Sequence, residues 1–268
     1  MKSVTISKPV VLSVAGFDPS AGAGVAADLK TMAACGVYGI AAITSITIQN
    51  TQGVDRVEPL PAKVLKDQLE HLLRDIRPHA VKVGMLGTLE HVETLAAFLK
   101  HHKLPNRVID PVFESSSKTP LLEARGIDHF RKFLLPLADC LTPNGEEAAR
   151  LTGDPVTSIE DMKRAAQDLH RLGSRSVVVT GGHLSPATDV FFDGSVFRVL
   201  SKPTVDTRNT HGTGCTFSSA IASFLALGAS LESAVLEAKE YVTKALANSY
   251  PVGQGRGPLN HFFKRDHQ

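Results

Sequence analysis

The chain has 268 residues, of which 43% are hydrophobic and 21% charged, and its formal net charge is +2. That balance suits a folded protein with a large core and argues against a disordered chain or a nucleic-acid surface, because no dense Lys/Arg run is present. Cys35, Cys140 and Cys215 are too few and too far apart for a disulfide framework or a zinc site, which fits a reducing, cytoplasmic setting.

The apolar run Val10–Ala15 is far too short to span a membrane and reads as a first buried strand; no cleavable signal pattern precedes it. A glycine-rich turn, Gly16 to Gly24, follows. The pattern then predicts a helix over Val25–Cys35, a strand over Ile40–Ile46 and a helix over Pro61–Arg74 with Leu65, Leu69 and Leu72 on one side. Ala80–Val83 reads as a strand, Thr88–His102 as a helix and Val108–Val112 as a strand.

A helix near Arg125–Phe133, a strand near Asp139–Leu141 and helices over Asn144–Leu151 and Ile159–Leu172 come next. Ser176–Thr180 is a strand. Thr188–Phe192 and Val196–Leu200 flank Asp193-Gly194-Ser195 as an edge hairpin, and helices over Thr213–Leu227 and Leu231–Asn248 close the chain. Strands alternating with helices imply a mostly parallel sheet covered on both faces, and the absence of a linker or repeat implies one domain over residues 1–268. Ligands bind such sheets outside the carboxyl ends of the strands, so Gly16, Gly84, Asp110, Thr142 and Gly181 should converge on one crevice.

Asp206–Ser219, DTRNTHGTGCTFSS, carries the clearest chemistry. Phe217, Ala220, Ile221, Phe224 and Leu225 form one helical face, which sets Gly212, Thr213, Gly214 and Cys215 at or just before the helix N-terminus. Free first-turn N–H groups, close approach at glycine and the helix dipole together favour an anion there, although an ordinary glycine-rich cap has the same spacing. A thiol at such a place can be acidified, or it can be a small buried residue.

Other motifs are excluded or open. Gly22-x-Gly24-x-x-Ala27 formally matches a dinucleotide fingerprint, but Ile40–Gln49 holds no acid to bind a ribose and the preceding loop is too long. No P-loop, HExxH or GxSxG is present. Asp28, early in the first helix, could complement its dipole or bind a ligand amine. Gln49-Asn50-Thr51 could present an amide to a ligand or form a polar turn. Asn144 and Glu147, three residues apart at a helix start, could hold a hydrated Mg²⁺ or form a capping box.

Taken together, AGFDPSAGAGVAADLKT (15–31), QNT (49–51), KVGML (82–86), DPV (110–112), LTPNGEEA (141–148), VVVTGGH (177–183), NTHGTGCTFSSAIA (209–222) and GPLNHF (257–262) resemble a known family across nearly the whole chain. That family is the hydroxymethylpyrimidine and hydroxymethylpyrimidine-phosphate kinases of thiamine biosynthesis, in the ribokinase-like superfamily. The resemblance implies a three-layer α/β/α fold and ATP-dependent phosphoryl transfer with Mg²⁺. Gly212, Thr213, Gly214 and Cys215 would form the anion hole, with Cys215 where many sugar kinases of this fold carry an aspartate base. Gly16, Asp28, Gln49, Met85 and Val112 would form the pyrimidine pocket, with Asp28 and Gln49 as its polar readers. Asn144, Thr180, Gly182 and Thr210 would border ATP, and Asn144 and Glu147 would serve the metal. The resemblance also implies a homodimer, with no nucleic-acid or membrane partner.

One stretch departs from the family. Its usual Lys-Ser-Gly-Asp-like loop after DPV is here Phe113 to Thr119, with Ser116 where lysine is expected and Lys118 displaced by two; Phe113 replaces a common methionine beside the pyrimidine. Two rival readings stay open on the same fold: a pyridoxal kinase, and a non-catalytic ligand sensor.

Overall fold

A computed structural model describes residues 8–264 apart from residues 116 and 183. Ser116, at the loop position just discussed, and His183, at the end of the VVVTGGH match, therefore lie outside the described residues. Among the described residues nine strands form one sheet in the order β3-β2-β1-β4-β5-β6-β7-β8-β9. The strands are β1 Val10–Phe17, β2 Tyr38–Asn50, β3 Gly53–Pro59, β4 Ala80–Val83, β5 Arg107–Ile109, β6 Cys140–Leu141, β7 Val177–Val179, β8 Ala187–Phe192 and β9 Phe197–Lys202. From β2 to β7 neighbours run parallel; β3 at one edge and the β8–β9 hairpin at the other are antiparallel.

Among the described residues, eight α-helices cover the sheet: α1 Gly24–Ala34, α2 Ala62–Leu73, α3 Leu89–His102, α4 Ala124–His129, α5 Gly145–Thr152, α6 Ile159–Arg171, α7 Thr213–Ala226 and α8 Leu231–Ala247. One apolar layer packs α2, α3, α5 and α6 on one face through residues such as Leu65, Leu95, Leu99, Leu151 and Leu169. The other packs α1, α7 and α8 through Met32, Ile221, Ala234 and Val242. The architecture is therefore the expected α/β/α sandwich. Each leucine so buried contributes roughly 1.5–3 kcal/mol. Polar caps set several helix starts: Thr88 accepts from the His91 N–H, and Ser158 with Asp161 forms a capping box.

Two differences from the sequence reading have physical causes. β2 runs on to Asn50, and β3, which carries exposed Asp55, Arg56 and Glu58, pairs antiparallel with it. An edge strand facing water needs no apolar alternation, so its sequence gives no periodic signal. Arg125–Phe133 is not one continuous α-helix: α4 ends at His129, and a π-helical turn, Phe130–Leu134, follows it. The residues just beyond the parallel strands, Asp110 after β5, Thr142 after β6 and Thr180 after β7, share one crevice with Gly16 near the end of β1. Gly84 and Gly181 do not line it; their neighbours Met85 and Thr180 do.

Candidate active site

The crevice is a cleft of about 1230 Å³ along the carboxyl edge of the sheet. Gly212 is the N-cap of α7 and sits at φ 82°, in the left-handed region. A Cβ on Gly212 would lie 1.9 Å from the Gly22 carbonyl oxygen, so only glycine lets this turn touch the glycine-rich loop. The Thr213 N–H is drawn back to the Thr210 carbonyl at 3.3 Å. The first-turn amides of Gly214 and Cys215 have no acceptor within the helix, as helix-start N–H groups do, and suit an anion placed there. All four residues of this turn line the cleft.

Of the two readings of Cys215, the surroundings favour the thiol that is not acidified. Burial pushes its thiol up to about 12; Lys82 pulls it down, and Asp28 and Asp110 push it further up. The helix N-terminus does not acidify it, because its surroundings are poorly solvated and two carboxylates oppose a thiolate.

Gly16, Gln49, Met85 and Val112 line the same cleft, as the resemblance implied. Asp28 does not. It is fully buried, accepts hydrogen bonds from Ser13 Oγ (2.6 Å) and Ser219 Oγ (2.7 Å), and pairs with Lys82 Nζ at 2.9 Å. Its role as a polar reader is thereby corrected. The helix register that hides Asp28 from solvent aims it at α7 and β4, where it neutralises a buried lysine. Gln49 takes part in a side-chain network with Thr47, His211 and Asp18 at the pocket wall.

Asn144 and Glu147 make a capping box: Asn144 Oδ1 accepts from the Glu147 N–H at 2.9 Å, and Glu147 Oε2 from the Asn144 N–H at 2.8 Å. Both line the cleft, so the structural cap and the proposed metal role share one pair of residues. Asp110, noted in the sequence only as a strand end, joins them. Its Oδ2 accepts from Ser218 Oγ on α7 at 3.1 Å. Burial raises the Asp110 carboxyl to about 6 against the pull of Lys82, and burial with the Asp110 charge raises Glu147 well above the usual range. Thr142 Oγ1 is buried beside them, close to Asp110 but without a full hydrogen bond. Two crowded carboxyls and an underused hydroxyl, all oxygen donors, fit a hard divalent cation.

Thr180 and Thr210 line the cleft, whereas Gly182 is exposed beyond the end of β7 and does not. Phe113 keeps an apolar wall, stacked edge-on against Phe130. Lys118 reaches the cleft rim and pairs with Glu146 at 2.5 Å. The sequence reading assigned no role to Asp18, His211 or the tail segment. The Gly257 carbonyl accepts from the His211 N–H at 3.1 Å, and the Arg256 N–H donates to Thr51 O at 2.8 Å, strapping the tail over the cleft.

A mostly parallel sheet whose carboxyl edge opens into one cleft, with a glycine-capped helix N-terminus and two buried carboxyls lining it, is the arrangement of the ribokinase-like class. The phosphomethylpyrimidine kinase model matches residues 18–260. The chain belongs to that family. It is 39% identical over 259 residues to a hydroxymethylpyrimidine/phosphomethylpyrimidine kinase of Bacillus subtilis, covering 95% of this chain and 96% of that one. It is also 43% and 46% identical to bifunctional thiamine biosynthesis proteins of Geobacter sulfurreducens and Arabidopsis thaliana; the match covers 94% and 97% of this chain but spans only 52% of each of those proteins.

Solved structures agree. The pyridoxal kinase of Staphylococcus aureus in complex with AMP-PCP and pyridoxal superposes with a TM-score of 0.87 at 36% identity, covering 96% of this chain and 94% of that one. A phosphomethylpyrimidine kinase of Clostridium difficile does so with a TM-score of 0.80 at 41% identity, covering 89% and 100%. Among the described residues no helix is long and apolar enough to cross a membrane.

Proposed function

We propose that this chain transfers the γ-phosphoryl group of ATP to the hydroxymethyl arm of 4-amino-5-hydroxymethyl-2-methylpyrimidine, and then phosphorylates the monophosphate. The observation that carries the reading is a single cleft lined both by the Gly212–Cys215 cradle and by Gly16, Gln49, Met85 and Val112. The first set suits a phosphoryl group in flight, the second a small flat ring. Phosphoryl transfer is mostly positioning and charge stabilisation, so fixed amides aimed at the transferred group supply much of the rate.

The Gly214 and Cys215 amides stabilise charge developing on the transferred phosphoryl oxygens. Cys215 takes the hydroxyl proton as a thiolate that is scarce at neutral pH. Asn144, Glu147 and Asp110 would hold a hydrated Mg²⁺, which would supply neutralising charge to the phosphates. Thr180 and Thr210 border the nucleotide. Three free cysteines fit a reducing cytoplasm, and a homodimer belongs to the same reading.

Pyridoxal phosphorylation is the second reading, favoured by the likeness to a pyridoxal kinase. Titration calorimetry separates the two. The proposal expects the aminopyrimidine to bind at least tenfold more tightly than pyridoxal, and Gln49→Ala to remove that preference. Tighter binding of pyridoxal would contradict it.

A further inference from the structure

His211 stands one residue before the cradle, and its ring lies across the floor between two loops. Its Cδ2 packs on Gly22 so closely that a Cβ there would lie 2.3 Å away. Its Nε2 faces two groups at once: Asp18 Oδ2 at 2.8 Å and the Gln49 side-chain amide at 3.1 Å, placed with Nε2 on the His211 side and Oε1 on the Thr47 side.

Asp18 is a committed acceptor. Its carboxylate already receives the Ser20 N–H (2.8 Å), the Ser20 hydroxyl (2.7 Å), the Gly22 N–H (3.2 Å) and the Ala23 N–H (2.9 Å). Burial works against its charge, but the hydrogen bonds from His211 and Ser20 hold the carboxyl below its usual range. A carboxylate at 2.8 Å requires the proton on His211 Nε2, and a protonated ring nitrogen cannot also accept. The network therefore calls for the two ends of the Gln49 amide to be exchanged, which brings its oxygen to His211.

The other end of the amide gives the same answer. Thr47 Oγ1 lies 3.0 Å from the end placed as Oε1 and 3.1 Å from the Phe17 carbonyl oxygen, two acceptors for one hydroxyl proton. Its one proton goes to the carbonyl, so it accepts from the amide NH₂. In this arrangement the contacts at His211 and at Thr47 each pair a donor with an acceptor; in the reverse one, two donors oppose each other at His211. Amide orientation is rightly assigned from the surrounding network.

We propose that His211 is a positioning residue that fixes the polarity of the Gln49 amide and thereby which way round the aminopyrimidine ring lies. This rests on the reading of Gln49 as the ring's polar partner. The amide keeps one oxygen lone pair on the His211 side and one N–H on the Thr47 side. An aminopyrimidine offers an exocyclic amine beside a ring nitrogen. Its amine therefore lies toward His211 and its ring nitrogen toward Thr47, which directs the hydroxymethyl arm one way only. A pyridine ring without an adjacent amine cannot use both groups.

Two measurements test this. Long-range ¹⁵N–¹H NMR of histidine-labelled protein without substrate should show His211 protonated at Nε2; a bare Nε2 with the proton on Nδ1 overturns the proposal. In steady-state kinetics, His211→Phe should raise the pyrimidine KM at least tenfold and leave the ATP KM within twofold. His211→Gln, whose NH₂ can donate to both Asp18 and Gln49, should recover most of that loss. His211→Phe added to Gln49→Ala should cost little more than Gln49→Ala alone. Equal effects on both KM values, or full additivity, overturn it. An unchanged pyrimidine KM in Gln49→Ala overturns the parent reading and this one with it; the tautomer, read without substrate, distinguishes that failure from a wrong amide polarity.

Discussion

Lys82 Nζ lies 2.9 Å from Asp28 Oδ1, and both side chains are fully buried beneath the cleft. Burial opposes the charge of the lysine, yet the Asp28 carboxylate beside it holds its pKa above the ordinary value. The pair joins α1 to β4, and Ser219 ties α7 to the same carboxylate. A buried pair of this kind is costly to break from one side, because the remaining charge is stranded.

Lys82→Met should therefore destabilise the fold by about 3–5 kcal/mol, measured by urea unfolding. Asp28→Asn should behave likewise. If Asp28 read the substrate directly, Asp28→Asn would instead keep its stability and lose pyrimidine affinity.

The carboxyl pair gives a pH signature. Burial pushes the Asp110 carboxyl up to about 6 from its ordinary 3.8. Between those values the native state holds a proton that the unfolded chain has released. Its stabilising contribution is thus present below about pH 4 and is lost as pH rises through 6. Asp110→Asn should gain on the parent protein across that window, by on the order of 1–3 kcal/mol. Calorimetric unfolding from pH 4 to 7 measures it; parallel stability curves would contradict the assignment. At pH 8, Mg²⁺ should raise the Tm of the parent protein and leave Glu147→Gln and Asp110→Asn unmoved.

Cys215 makes a kinetic prediction. With the thiol near 12, the thiolate fraction grows about tenfold per pH unit below that value. If it is the base, kcat/KM rises log-linearly from pH 6 to 9. Cys215→Ala should abolish the slope and lower kcat by roughly 10²–10⁴. A flat profile in the parent protein would exclude the thiolate.

Gly212→Ala tests the cradle. The new methyl group meets the Gly22 carbonyl and opposes the left-handed turn, so the Gly214 and Cys215 amides must shift. The expected loss in kcat is about 10²–10³, with the substrate KM values changed much less. Near-parent kcat would show that these amides do not face the transferred group.

Much of the fold was legible because its elements are strongly periodic: α2, α3, α6, α7 and α8 lie within two residues of their expected ends. β3 was not, because an exposed edge strand is shaped by pairing with β2 rather than by burial. Within the site, the cradle was legible from glycine spacing and the first helical face after it. Asp28 misled because a lone acid near a helix start looks the same whether it meets a ligand or a buried lysine 54 residues away. Asp110 and His211 stood inside quoted motifs, but their partners come from α7 and the first loop, and only the folded chain brings these together.

The most direct measurement is product identity. The protein is incubated with Mg-ATP and 4-amino-5-hydroxymethyl-2-methylpyrimidine, and the pyrimidine products are weighed by mass spectrometry over time. The account predicts that a monophosphate appears first and is converted to a diphosphate, while pyridoxal offered at equal concentration is phosphorylated far more slowly. Pyridoxal phosphate as the dominant product, or no phosphorylated pyrimidine at all, would contradict it.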